Sequence, residues 1–141
     1  MTRTSMKTVL VTLMRAARNV VMVEDDYEAQ AALLTSALIH TGDDVRWTTQ
    51  RLVALLNLAE CYRLQGRFED ALSVSEEALE LGGPEEAPHA TIVRSLVGLG
   101  RVGEAEVALA AGREHMSEEY FLELSEEIAS TLKGAAASAG E

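Results

Sequence analysis

Three glycines in the second half of the chain have the spacing of a phosphate-binding loop. Gly98, Gly100 and Gly103 form the pattern G-x-G-x-x-G, in which bare backbone lets a pyrophosphate approach the start of a helix. The pattern carries this meaning only after a strand and within a parallel sheet, and no further strand-like segments accompany it. We therefore expect a turn between two helices here. A small nucleotide-binding domain is kept as an alternative.

An acidic run near the N-terminus is a second candidate. Glu24, Asp25 and Asp26 follow an apolar stretch, an arrangement that resembles the opening of a response-regulator receiver domain. The resemblance implies a Mg²⁺ ion held beside a phosphorylated Asp that follows a later strand. Residues 52–64, where that strand would fall, have helical spacing instead. We expect an acidic turn whose charges favour the N-terminus of a helix beginning at Tyr27, and keep a receiver-type domain as an alternative.

The three histidines and the single cysteine do not have the sequence spacing of a metal site. His40, His89 and His115 are far apart in sequence, with no second ligand at the spacing of a zinc site. Cys61 has no base near it in sequence, so we interpret it as a structural thiol. The sequence predicts no catalytic residue, no cofactor and no metal.

Charge is distributed unevenly along the chain. The net charge is −11, which argues against nucleic acid as a partner because phosphate binding needs a clustered basic surface. The first 23 residues nevertheless contain no acid and four basic residues, which are Arg3, Lys7, Arg15 and Arg18. No apolar run is long enough for a signal sequence or a membrane span, and a lone cysteine needs no oxidising compartment. We expect a cytoplasmic protein that does not act on membranes.

Apolar residues in the middle of the chain follow helical spacing. Leu55, Leu58, Ala59 and Tyr62 lie at i, i+3, i+4 and i+7 and form one stripe on a helix. A second stripe follows after Gly66, and its members are Ala71, Leu72, Ser75, Ala78 and Leu79. The small residues in both stripes predict two antiparallel helices in close contact, with Gly66 ending the first helix in a left-handed turn.

This helix pair resembles a tetratricopeptide repeat. The positions that match the family pattern are Leu55, Leu58, Ala59, Tyr62, Ala71, Ser75 and Ala78, followed by Pro84. Leu55 stands where Trp is usual in the family, and Ser75 where an aromatic residue is usual. Residues 66–71 recur as residues 100–105, at the 34-residue spacing of the family. Residues 27–38 align with residues 68–79 at an offset of 41, which resembles the longer repeat of kinesin light chains. There the next helix is extended at its start, here over residues 44–49.

The predicted fold is all-α. The resemblance implies a short right-handed solenoid of about three helix pairs, at about 7–40, 44–81 and 86–115, with a capping helix at 117–133. Residues 1–133 would form a single domain. Residues 134–141 are small and have nothing to bury, so we expect a mobile tail.

The resemblance also implies a function. First helices of such pairs line a concave face that binds a protein or peptide, so we expect a non-catalytic adaptor or regulatory subunit. We assign partner binding to Asn57, Glu60, Arg63 and Arg94, since Arg offers paired donors to a carboxylate and Asn can hold a peptide backbone. A self-associating structural protein, paired through the basic N-terminal helix, is the alternative, and a homo-oligomer is therefore possible.

Overall fold

The structure, a computed structural model, describes residues 2–82 and 86–139, and their backbone is almost entirely helical. Within those residues no strand occurs, which confirms the all-α prediction. The helices are α1 (Arg3–Glu24), α2 (Tyr27–Thr41), α3 (Thr48–Leu64), α4 (Phe68–Leu81), α5 (Glu86–Gly98), α6 (Val102–Gly112) and α7 (Glu118–Ala139). Short 3₁₀ turns precede α3 at Val45–Trp47 and follow α6 at Arg113–His115.

The helix bounds agree closely with the predicted segments, with three differences. Helix α1 begins at Arg3, four residues before the predicted start at about residue 7. Residues 45–47 form a separate 3₁₀ turn instead of extending α3. Helix α7 continues to Ala139, so residues 134–139 are helical where a tail was expected. Alanine has the highest helix propensity, which accounts for this continuation although residues 134–137 are exposed. Pro84, part of the family pattern, lies outside the described residues.

Each helix packs against the next one in the chain. Helix α3 also contacts α5, and α5 contacts α7, whereas α1 and α3 hardly touch. The buried side chains form three clusters along the length of the protein, around Trp47, Leu34 and Val93. In the described part of the chain, no helix combines the length and the apolar character needed to cross a membrane.

Two of the turns repeat the same local geometry. Gly66 and Gly100, 34 residues apart, both adopt a left-handed φ of 76°, a conformation that costs glycine little. The N–H of the following residue then donates to the carbonyl oxygen five residues earlier, at 2.8 Å from Arg67 and 2.9 Å from Arg101. These contacts confirm the predicted left-handed end of the helix before Gly66.

The three glycines of the G-x-G-x-x-G pattern belong to this helix-to-helix connection. Gly98 is the last residue of α5, and Gly103 lies in the first turn of α6. Phe68 of α4 packs directly over Gly98, so that its Cε1 and Cε2 atoms lie 2.6 and 2.7 Å from the place of a β-carbon. A helix, not a strand, precedes the pattern, so the structural condition for a dinucleotide loop is not met here.

Replacing Ala71 by Leu should destabilise the fold. Ala71 is completely buried, and a larger side chain would force neighbouring helices apart, at a cost of roughly 1–3 kcal/mol. Thermal unfolding followed by circular dichroism measures the effect. Ser73→Leu adds a comparable side chain at an exposed position of the same helix and is the control. Equal melting temperatures for the two variants would contradict the packing described here.

Two glycine variants test the contact with Phe68. Gly98→Ala should lower the free energy of unfolding by about 1 kcal/mol or more, because the added methyl group meets the Phe68 ring. Gly103→Ala meets nothing within 4 Å, and it should stabilise by roughly 0.5–1 kcal/mol through helix propensity. Urea titrations of both variants give the comparison, and the same sign for both would be inconsistent with the structure.

Candidate functional site

The four residues predicted to bind a partner lie on two helices, and most of their charges are already paired. Asn57 is exposed on α3. One turn further along α3, the carboxylate of Glu60 accepts a hydrogen bond of 3.0 Å from Nε of Arg63. This hydrogen bond is the main cause that raises the pKa of Arg63, and partial burial acts against it. The guanidinium of Arg63 therefore has an internal partner.

Arg94 of α5 is held by three side chains of α7. Its Nη2 atom lies 2.9 Å from Oε1 of Glu127 and 3.2 Å from Oε1 of Glu123. Its Nη1 atom donates to the hydroxyl of Tyr120 at 3.0 Å. The hydrogen bonds to Glu127 are the main cause that raises the pKa of Arg94 above its usual range, against the opposite effect of burial. Arg94 thus joins two helices, and its charge is neutralised within the protein.

Arg63 and Arg94 nevertheless border the same cleft. Its volume is about 530 Å³, and the residues that line it are Arg63, Phe68, Arg94, Val97, Gly98 and Glu127. Asn57 and Glu60 are not among them. A ligand carboxylate that approached this cleft would compete with the carboxylate of Glu127. The role of the four residues in binding stays a prediction.

A second cavity, which we call the α1/α3 groove, lies between the first and third helices. Its volume is about 540 Å³. It is lined by residues of α1, of α3 and of the turn before α3, which are Lys7, Leu10, Val11, Met14, Arg15, Arg18, Trp47, Thr49, Gln50 and Val53. The floor is apolar, and its lining contains no acidic residue. This size is in the range of sites that bury several side chains of a ligand.

Helical spacing places the α1 residues of the groove on one face. Lys7, Leu10, Val11 and Met14 follow i, i+3, i+4 and i+7, so their side chains project in the same direction. The 3₁₀ turn before α3 positions Trp47, which is 5% exposed and clusters with Leu10 beneath the groove. The floor is therefore anchored in the core, while the walls remain open to solvent.

The basic residues at the rim of the groove have no ion-pair partner among the described residues. Within residues 2–82 and 86–139, Lys7, Arg15 and Arg18 form no ion pair and are exposed. All seven arginines from position 46 onward, in contrast, are paired with acids: Arg46, Arg51, Arg63, Arg67, Arg94, Arg101 and Arg113. The α1/α3 groove is thus bordered by cations that no acid among the described residues neutralises.

The acidic run forms the turn between α1 and α2. Asp25 ends α1 in the left-handed conformation, with φ of 52°. Asp26 caps α2, because its carboxylate accepts a hydrogen bond of 2.9 Å from the N–H of Ala29. The predicted acidic turn at the start of this helix is what the structure shows.

The histidines and the cysteine form no metal site in the described residues. The rings of His89 and His115 stack in parallel with centroids 5.0 Å apart, a proximity that sequence spacing did not predict. Cys61 is 1% exposed, and its thiol donates to the carbonyl oxygen of Tyr27 at 3.0 Å. Burial raises the pKa of the Cys61 thiol, so it is protonated at neutral pH and a poor nucleophile. This is the environment of a structural thiol.

Comparison of the chain with protein-family models and with curated proteins gives no match. The functional argument therefore depends on the geometry and charge of the α1/α3 groove. Sequence reasoning did not identify this groove, although one signal was available. Lys7 and Arg15 share a helical face with Leu10 and Met14, so one face of α1 combines cations with apolar residues.

A double-mutant cycle tests the contact between Arg94 and Glu127. Arg94→Ala should lower the free energy of unfolding by about 1–2 kcal/mol, since a half-buried charged hydrogen-bond network is lost. Glu127→Ala and the double variant complete the cycle, and we expect a coupling of at least about 0.5 kcal/mol. Arg101→Ala removes ion pairs that are more exposed to solvent. It should lower the free energy of unfolding by less than Arg94→Ala does, because exposed ion pairs contribute little to stability. A coupling of zero would show that the network does not hold α5 to α7.

Proposed function

We propose that this protein is a non-catalytic interaction module, an adaptor or regulatory subunit that holds a segment of a partner protein in the α1/α3 groove. The groove is the observation that carries the proposal. An open apolar surface next to buried core residues is a feature of binding sites more than of solvated surfaces. Val11 and Val53 are 45% and 43% exposed on its walls, and a ligand would remove this surface from water.

We propose further that the helices form a tetratricopeptide-like stack of three pairs and a terminal cap. The repeated turn geometry at Gly66 and Gly100 supports this arrangement, as do the direct contacts of α3 with α5 and of α5 with α7. In such a stack α1, α3, α5 and α7 are the helices that face a common side. The α1/α3 groove and the cleft at Arg63 then lie along one ligand path.

The spacing of residues on α3 supports a continuous path. Val53 lines the α1/α3 groove, and Asn57 and Glu60 follow it at i+4 and i+7 on the same stripe. Arg63, one turn further, lines the neighbouring cleft. Apolar burial in the groove would provide most of the affinity, and the polar residues of α3 would add specificity.

A double valine variant, compared with a matched control, tests the proposal. Val11→Gln with Val53→Gln replaces apolar walls by polar ones without touching the core. Retention of partners from the native host by the immobilised protein should fall about tenfold, which corresponds to about 1.4 kcal/mol. The measurement compares the proteins that each variant retains by quantitative mass spectrometry.

The control is Val23→Gln with Ile39→Gln, two changes of the same kind at positions that are 82% and 76% exposed and outside the groove. Its retained proteins should match those of the unmodified chain. If the groove variant also matches, or if both variants lose the same proteins, the groove is not the binding site.

A further inference from the structure

We infer that the α1/α3 groove takes an acidic amphipathic helix of a partner protein. This inference rests on the proposed function and specifies the chemistry of the ligand. Three observations carry it: the apolar floor, the shortage of hydrogen-bonding groups on that floor, and the unpaired cations at one rim.

The composition of the groove favours a helical ligand over an extended one. An extended peptide presents backbone N–H and C=O groups that need partners. In this groove neutral polar side chains occur on the α3 wall, at Thr49 and Gln50, while the floor is apolar. A helix satisfies its backbone internally and can lay an apolar stripe on such a floor. The α1 wall of the groove extends about 16 Å along the helix axis from Lys7 to Arg18, which is the length of about three helical turns.

The rim charges determine the polarity of the ligand. Lys7, Arg15 and Arg18 stand on the α1 side, without acids in the lining and without ion pairs in the described residues. Carboxylates along one border of the ligand stripe would meet these cations. The opposite border faces Thr49 and Gln50 and needs no charge.

The same observations disfavour other anionic ligands. Nucleic acids and anionic lipid surfaces carry many charges, and the acidic body of this chain, with its net charge of −11, repels them at long range. Phosphate groups would also leave the apolar floor uncovered. A short helix with a few carboxylates gains from both the floor and the rim while it experiences less repulsion.

Binding of synthetic peptides tests this inference. The probe is a fluorescent peptide of about four helical turns, with leucines at i, i+3, i+4 and i+7 and glutamates along one border of that stripe. Two further peptides replace the glutamates by glutamine or by lysine. Fluorescence anisotropy with the full chain should show binding in the order Glu, Gln, Lys. Raising NaCl from about 50 to about 500 mM should weaken binding of the Glu peptide several-fold.

Charge reversal at the rim provides the second arm. Arg15→Glu with Arg18→Glu should weaken binding of the Glu peptide about tenfold or more and strengthen binding of the Lys peptide. Lys133→Glu reverses an exposed cation on α7, away from the groove, and should leave both affinities unchanged. Circular dichroism of each variant confirms that it is folded.

Each contrary outcome has its own meaning. Equal affinity for the three peptides would overturn the charge inference and leave the proposed function standing. Absence of binding to all three peptides would overturn the inference as well. The variant Val11→Gln with Val53→Gln and its control then test the proposed function independently.

Two further results would also overturn the inference of an acidic helical ligand. One is binding to phosphatidylserine vesicles or duplex DNA in place of the Glu peptide. The other is a dimer in sedimentation that the charge reversal dissociates, which would show that a second copy occupies the groove.

Discussion

Helix–helix contact in this protein depends on small side chains at the crossings. Nine of the 21 buried apolar residues in the described part are alanines: Ala17, Ala31, Ala37, Ala54, Ala59, Ala71, Ala78, Ala90 and Ala105. Interaxial distance follows the size of the side chains at the contact, so these positions let the helices approach closely. Ser75 and Ser95 are also completely buried, and their hydroxyls have no hydrogen-bond partner in the described residues. An unpaired buried hydroxyl costs about 1–3 kcal/mol, so what suits these positions is the small size of the side chain and not its polarity.

The α1/α3 groove lies where a large side chain, Trp47, is buried instead of an alanine. Helices α3 and α5 are in contact, whereas α1 and α3 hardly touch, and the large side chain of Trp47 packs against α1 and α2. A bulky buried residue keeps neighbouring helices further apart than alanine does. The same residue covers the core at this end, because it clusters with Leu10 and Ala37. The floor of the groove is therefore part of the buried core, so a ligand would have few floor side chains left to order.

The sequence predicted the helices well because their signals are local. Periodic apolar residues, Gly66 and the small residues at 71 and 78 each act within one or two turns. The site depends on contacts that local patterns do not contain. Arg94 meets Glu127 across 33 residues, and spacing alone gave no sign that its charge is neutralised there. The groove depends on how α1 and α3 lie relative to one another and on Trp47 in its lining, and local patterns do not contain this information.

Internal pairing separates the cations into two groups with different roles. Arg51 joins α3 to Glu77 of α4, and Arg94 joins α5 to α7, so these side chains act between helices of the protein. A cation that is already hydrogen-bonded gains little from a ligand carboxylate, because one partner replaces another. An exposed unpaired cation loses only water and counterions when a carboxylate arrives, and next to an apolar floor the local dielectric strengthens the contact. The unpaired cations of α1 are therefore better placed to recognise a partner than the paired arginines of α3 and α5. For this reason we place the candidate site at the rim of the α1/α3 groove and not at Arg63 and Arg94.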